Sequence, residues 1–218
     1  MTLLIDAAQL WHFQTNTYVI APGSGGPAVV VDAPPDPGGV GELLARHDLT
    51  PVAVLVTHGH IDHVGGIDGI ASPTVRAYLH PDDLAMARHP GEQLMALLGP
   101  AFSAGDDELV TTDFVDLTDG QTLDLAGVAL DVLYTPGHTP GHCCFYVESE
   151  GVLFSGDQLF QGSIGRTDLP GGSFETLMAS MATRILPLPD ETGVLPGHGP
   201  TTTLAAERKL NPFLQELL

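Results

Sequence analysis

At 218 residues the chain is long enough to bury a substantial core, and a single domain spanning 1–218 is expected. Hydrophobic residues make up 43% and charged residues 16%, which excludes a disordered chain. Seven Lys plus Arg against 27 Asp plus Glu give a formal charge of -20, and no basic stripe offsets it, which excludes a nucleic-acid partner.

The start, Met1 to Asp6, has no basic region ahead of its short apolar stretch, so no secretory leader is expected. Asn16 to Ile20 and Ala28 to Asp32 read as strands, joined through the turn-forming Pro22-Gly23-Ser24-Gly25-Gly26-Pro27. The Pro- and Gly-rich stretch 34–39 breaks the pattern. Val40 to His47 then suits a helix, with Val40, Leu43 and Leu44 on one side. The β-branched run Val52 to Val56 reads as a buried strand, completing a β-α-β crossover. From Gly65 to Pro100 the pattern is helical and loop-like, with a helix at Pro81 to Ala87 and a short helix or cover at Met95 to Leu98.

Strands return at Val128 to Leu133, Cys143 to Val147 and Val152 to Phe154, the last two forming a hairpin across Glu148 to Gly151. Phe174 to Ile185 reads as a helix capped by Ser173, Val194-Leu195 as a short strand, and Leu204 to Leu210 as the last full helix. This rhythm predicts an α+β protein with two stacked sheets and helices outside. No run of 18 apolar residues is present, so no membrane span is expected. Cys143 and Cys144 are neighbours on a strand and point to opposite faces, so they are expected as buried free thiols in a cytoplasmic protein.

The chemistry gathers at strand ends. The strand at Val52 to Val56 runs into His58-Gly59-His60-Ile61-Asp62-His63, and ligands gather at the carboxyl ends of strands in β-α-β layouts. Imidazole and carboxylate suit zinc, iron or manganese. One cation cannot easily take all four side chains from so short a turn, but two neighbouring cations can. Three further stations share the design: His138 in Thr135-Pro136-Gly137-His138, Asp157 in Phe154-Ser155-Gly156-Asp157, and His198 in Leu195-Pro196-Gly197-His198. Each has glycine beside the donor, where backbone must approach closely. A carboxylate such as Asp157 can bridge two cations. His12, His47, His80 and His89 have no motif around them, whereas His142 follows His138 by four residues and is a candidate to support the site.

In this order the stations resemble the metallo-β-lactamase fold superfamily, over nearly the whole chain from Asn16 to Pro212. The resemblance implies a four-layer αββα sandwich. It implies that His58, His60 and His138 hold one divalent metal, that Asp62, His63 and His198 hold a second, and that Asp157 bridges. Zinc is the expected metal, with iron or manganese as alternatives. Asp62 is the catalytic candidate, since it can also orient an attacking hydroxide.

The stretch from Asp157 to Gly172, with Glu207 to Leu214, is similar to the glyoxalase II-like branch, especially its short bacterial members. That implies a metallohydrolase cleaving a small acyl-thiol substrate. Full-length members have a longer helical C-terminus supplying basic residues to glutathione, and an aromatic two residues after the base of this loop. Here only Arg208 and Lys209 stand near the end, and Asp168 follows Arg166 by two, so the thiol carrier is left open. Arg166 is the substrate-binding candidate, as an anion clamp for a carboxylate or, alternatively, as a structural ion pair with Asp168. The rival readings are a mononuclear-iron persulfide dioxygenase using His58, His138 and Asp157, a lactonase, and a non-catalytic metal-binding scaffold. Oligomeric state is left open.

Overall fold

The computed structural model describes residues 2–89, 93 and 110–217. The first sheet is built from β1 (Leu4–Leu10), β2 (Thr15–Ala21), β3 (Gly26–Val31), β4 (Leu49–Leu55), β5 (Arg76–Leu79) and β6 (Phe114–Asp116), in that order. The first three strands pair antiparallel, and β3 to β6 pair parallel. Helix α1 (Pro37–Ala45) makes the crossover from β3 to β4. It begins three residues before the expected Val40, because Pro37 presets the first turn and the Asp36 carboxylate accepts from Gly39 N at 3.0 Å. Short helices α2 (Ile61–Val64) and α3 (Leu84–Arg88) follow β4 and β5.

The second sheet contains β7 (Thr122–Leu125), β8 (Val128–Tyr134), β9 (Cys143–Val147), β10 (Val152–Gly156), β13 (Gly193–Pro196) and β14 (Thr202–Thr203), ordered β14-β13-β10-β9-β8-β7. A separate ribbon pairs β11 (Leu159–Phe160) with β12 (Ser163–Ile164). Helices α4 (Phe174–Ser180) and α5 (Leu204–Leu210) are the larger helices of the second half among the described residues.

Strand alternation sorts the core into three seams. Ile20, Val29, Val31 and Leu55 of the first sheet meet Leu130, Val132, Phe145 and Phe154 of the second. The opposite faces of those strands, through Val19, Val30 and Val54, pack under Val40, Leu43 and Leu44 of α1. On the far side Cys144, Leu153 and Val194 pack under Leu177 and Met178 of α4 and Leu204 of α5. The result is the expected α/β/β/α sandwich. Both faces of the central strands are buried, which is why they read as unbroken apolar runs. Cys143 faces the inter-sheet seam and Cys144 the helical side, and both thiols are free and buried.

Two expectations are corrected. The stretch 65–100 is not only helix and loop, because Arg76–Leu79 is a parallel strand between β4 and β6. Four residues, of which Ala77, Tyr78 and Leu79 are buried, carry too short a pattern to show alternation. The expected helix Phe174 to Ile185 keeps α-form only to Ser180, and Met181–Ile185 is a π turn closed by Leu186 N to Met181 O at 2.9 Å. The Thr183 hydroxyl donates to Ala179 O at 2.7 Å beside this widened turn. Met95 to Leu98 lies outside the described residues. Among the described residues no helix is long and apolar enough to cross a membrane.

Candidate metal centre

The parallel strands of both sheets end at one rim, and the donor stations leave from it. β4 delivers His58 and His60, and α2 carries Asp62 and His63. The loop from β8 to β9 carries His138, while Asp157 follows β10 and His198 follows β13. Cross-sheet bonds hold the rim together. Cys143 N donates to Thr57 O at 2.8 Å, Asn16 N donates to Gly197 O at 2.7 Å, and the Tyr18 hydroxyl donates to Pro196 O at 2.7 Å. Gly156 has φ +48, and a Cβ there would lie 2.7 Å from both His142 Nε2 and Thr57 Cβ. Only glycine lets β10 turn there and aim Asp157 inward.

All seven candidate residues converge. His58 Nε2 lies 3.2 Å and His60 Nδ1 2.9 Å from His138 Nε2. His63 Nε2 lies 3.3 Å from His198 Nε2 and 3.4 Å from Asp62 Oδ2. Asp157 stands between the groups, with Oδ1 3.5 Å from His63 Nε2 and Oδ2 3.5 Å from His138 Nε2 and 3.6 Å from His198 Nε2. Three sets of donor atoms could each hold an ion: His58, His60 and His138; Asp62, His63 and His198; and His58, His63 and Asp157.

The outward ring nitrogens fix which way the lone pairs point. His138 Nδ1 donates to Arg166 O at 2.7 Å, and His63 Nδ1 donates to Asp32 Oδ2 at 2.8 Å. The Thr57 hydroxyl donates to the Asp32 carboxylate at 2.9 Å, leaving its oxygen to accept from His58 Nδ1 at 3.0 Å. As a metal ligand each of these three rings would be neutral, with its Nε2 lone pair turned to the centre. Bare lone pairs repel unless a cation lies between them. Tetrahedral nitrogen ligands at about 2.05 Å from zinc stand about 3.3 Å apart, the spacing seen here. Asp157 Oδ1 is buried without a hydrogen-bond partner, a further open acceptor aimed at the same centre. The residues present fit a pair of cations.

Burial and the neighbouring imidazoles push His58 well below its ordinary pKa; burial with His138 pushes His60 to about 3, and burial dominates in lowering His138 to about 4. These three rings are neutral ligands. Burial opposes charge on His63, yet Asp62, Asp32 and Asp157 together push its pKa well above the usual value. Burial raises the Asp62 carboxyl, but His63 and His198 outweigh it and hold it well below its ordinary range. The Asp62 carboxylate is thus ionised beside His63 and His198.

His142 is not among the inward donors. Its Nε2 accepts from Asp157 N at 3.1 Å, and its Nδ1 lies 2.9 Å from the Thr135 hydroxyl, so it supports the Asp157 backbone. His47 pairs with Asp6 at 2.8 Å and His80 stacks on Tyr134 at 4.3 Å, both away from the centre. Sequence reasoning missed Asp32, although a carboxylate ending the apolar strand β3 was a visible anomaly. It also missed the Arg166 carbonyl, which no side-chain pattern could reveal.

A cleft of about 610 Å³ opens over the cluster. Phe13, Phe160, Ile164 and Leu169 form its apolar walls, and Arg166 is the one cation lining it among the described residues. The Arg166 guanidinium forks onto Asp168, Nε to Oδ1 at 2.7 Å and Nη2 to Oδ2 at 2.8 Å. The ion-pair alternative is the arrangement observed.

Four layers with imidazoles and carboxylates gathered at the strand ends define a metal-binding αββα protein. A family model described as the metallo-beta-lactamase superfamily matches residues 10–203, and the chain belongs to that superfamily, whose members are typically metal-dependent hydrolases. Hydroxyacylglutathione hydrolase GloC of Haemophilus influenzae is 35% identical over 221 residues, covering 96% of this chain and 97% of GloC. The crystal structure of the B3 metallo-beta-lactamase BLEG-1 is similar with a TM-score of 0.87 and 37% identity, over 97% of this chain and 99% of that one. The crystal structure of TTHA1623 in a di-iron-bound form has a TM-score of 0.82 and 38% identity, over 96% of this chain and 100% of that one.

Proposed function

We propose that this chain is a two-metal hydrolase of small acyl-thiol esters. The observation that carries the reading is the placement of Asp157, whose carboxylate oxygens lie within 3.6 Å of His138 in one triad and of His63 and His198 in the other. His58, His60 and His138 would hold one cation, Asp62, His63 and His198 the other, with Asp157 shared. Similarity to GloC supports the thioester substrate, and similarity to a di-iron protein keeps iron beside zinc as the metal. Because both sheets contribute donors, the reading treats 1–218 as one domain. The free buried thiols suit a reducing, cytoplasmic setting.

When bound, such a cation pair supplies hydroxide at neutral pH and polarises the acyl carbonyl. The chain's own residues do the rest. Asp62 Oδ2 is held by the Thr15 hydroxyl at 3.2 Å and lies 3.1 Å from His198 Nε2, which leaves Asp62 placed to orient the attacking oxygen. Phe13, Phe160 and Ile164 exclude water from the acyl group. The new C–O bond forms first and the C–S bond then breaks, and the thiolate, with a parent pKa of about 8.5, leaves without a strong general acid. Arg166, at the cleft wall, is placed to meet a polar group of the thiol carrier.

The test combines metal analysis with a thioester assay under air and under argon. Two cations per chain and hydrolysis independent of oxygen support the reading. One iron per chain with oxygen uptake on a persulfide would establish the dioxygenase instead, and cleavage confined to lactones would move the substrate class.

A further inference from the structure

We propose that Asp83 is a positioning residue that locks the two loops of the His58–His60–His138 triad into register, and that it acts on that triad alone. The inference rests on the donor assignment proposed above. Asp83 ends the single turn Pro81–Asp83 after β5 and is fully buried. Its Oδ2 accepts from Gly59 N at 2.8 Å and from the Thr139 hydroxyl at 2.6 Å, and its Oδ1 accepts from Gly141 N at 2.6 Å. Gly59 lies between His58 and His60, and Thr139 adjoins His138. One carboxylate thus ties together two loops about 80 residues apart in sequence, matching the 80-residue separation of His58 from His138.

Packing repeats the message. A Cβ on Gly59 would lie 2.8 Å from Asp83 O, and one on Gly141 would lie 2.7 Å from Asp83 N. Both loops are pressed onto the same residue, with glycine at each contact. Asp83 makes no hydrogen bond to any of the seven donors; it reaches them through backbone amides and one hydroxyl. The other triad is keyed elsewhere, His63 by Asp32 and the His198 loop by Asn16 Nδ2 on Pro196 O at 2.9 Å and Gly199 O at 2.8 Å. An amide at position 83 would turn an NH2 towards one of three fixed donors, so Asp83→Asn breaks the arrangement with almost no change in volume.

The test measures cation affinity by chelator competition in two backgrounds, each retaining one triad. In His198→Ala, adding Asp83→Asn is expected to weaken the remaining cation about 10- to 100-fold. In His60→Ala, the same addition is expected to leave affinity unchanged. Thr139→Val removes a single bond and is expected to act in the same direction more weakly, with Thr139→Ser restoring affinity. If Asp83→Asn does not fold, the Thr139 pair decides the matter. Equal weakening in both backgrounds, or none in either, overturns the proposal. Because affinity is the readout, a protein that binds two cations and shows the split but cleaves no thioester would sink the functional reading and keep this one. A parent protein binding fewer than two cations would sink both.

Discussion

The donor cluster and the cleft above it share a wall but are built on opposite terms. In the cluster His58, His63 and His138 are buried, and each outward nitrogen is spent on a fixed acceptor. In the cleft Phe13 is 37% exposed, and the Arg166 and Asp168 side chains are 51% and 69% exposed. Chemistry that needs lone pairs held in fixed directions is supported by buried polar bonds reaching both sheets. Recognition is left to side chains on loops, where substitution disturbs little else. Cluster changes should therefore act through cation affinity and stability, and cleft changes through substrate affinity.

The sharpest way to break that contrast is to strip the cations. Chelation should abolish turnover and lower Tm, since a ligand bound at 1,000 times its Kd stabilises the fold by about 4 kcal/mol, or about 10 °C for a chain of this size. A Tm unmoved by chelator would mean that the cluster holds itself together. Next in size is Asp32→Ala, which strips His63 and Thr57 of their shared acceptor. It should cost about 10- to 100-fold in cation affinity, read by chelator competition, with part of the loss in kcat.

Arg166→Ala should leave cation affinity alone and shift Tm by less than about 3 °C, because an exposed pair contributes little to stability. Its effect should fall on KM, about two- to fivefold upward in steady-state kinetics. Hydrogen bonding to Arg166 lowers the Asp168 carboxyl to about 2. A carboxyl with a depressed folded pKa keeps its pair above the unfolded value and loses it only as pH falls through the folded one. The Arg166 effect on KM should therefore be the same at pH 6 and pH 8. A large loss of bound metal in Arg166→Ala would erase the boundary between cluster and cleft.

The same boundary separates what the sequence reveals from what it hides. The run His58 to His63 is legible because it follows a recognisable strand, and His138, Asp157 and His198 because each follows a recognisable strand and sits beside a glycine. The central strands are legible because burial on both faces demands β-branched runs. β5 escapes notice because four residues are too few for periodicity, and β1 because its partly buried edge carries Asp6 and Gln9 among its apolar residues. Asp32 and Asp83 act across 24 to 58 residues of sequence, through contacts that exist only once the sheets have stacked. Phe13 reaches the cleft because the turn after β1 carries Trp11 and Gln14 at positive φ, which composition does not announce.

The smallest expected effect probes the floor under the cluster. Cys143 N is bonded to Thr57 O, next to His58, and Cys144 Sγ lies 3.3 Å from the Thr135 hydroxyl that also meets His142. Burial pushes the Cys144 thiol up to about 12 and the Cys143 thiol upward as well. Burial disfavours the thiolate, which is the reactive form, so at pH 8 both cysteines stay as thiols. Iodoacetamide at pH 8 should leave both cysteines unmodified in the folded protein and alkylate both after denaturation, as read by intact mass. Alkylation of the folded protein within minutes would mean that the rim opens readily. The lone pairs of the cluster would then lack the rigid support on which their contrast with the cleft depends.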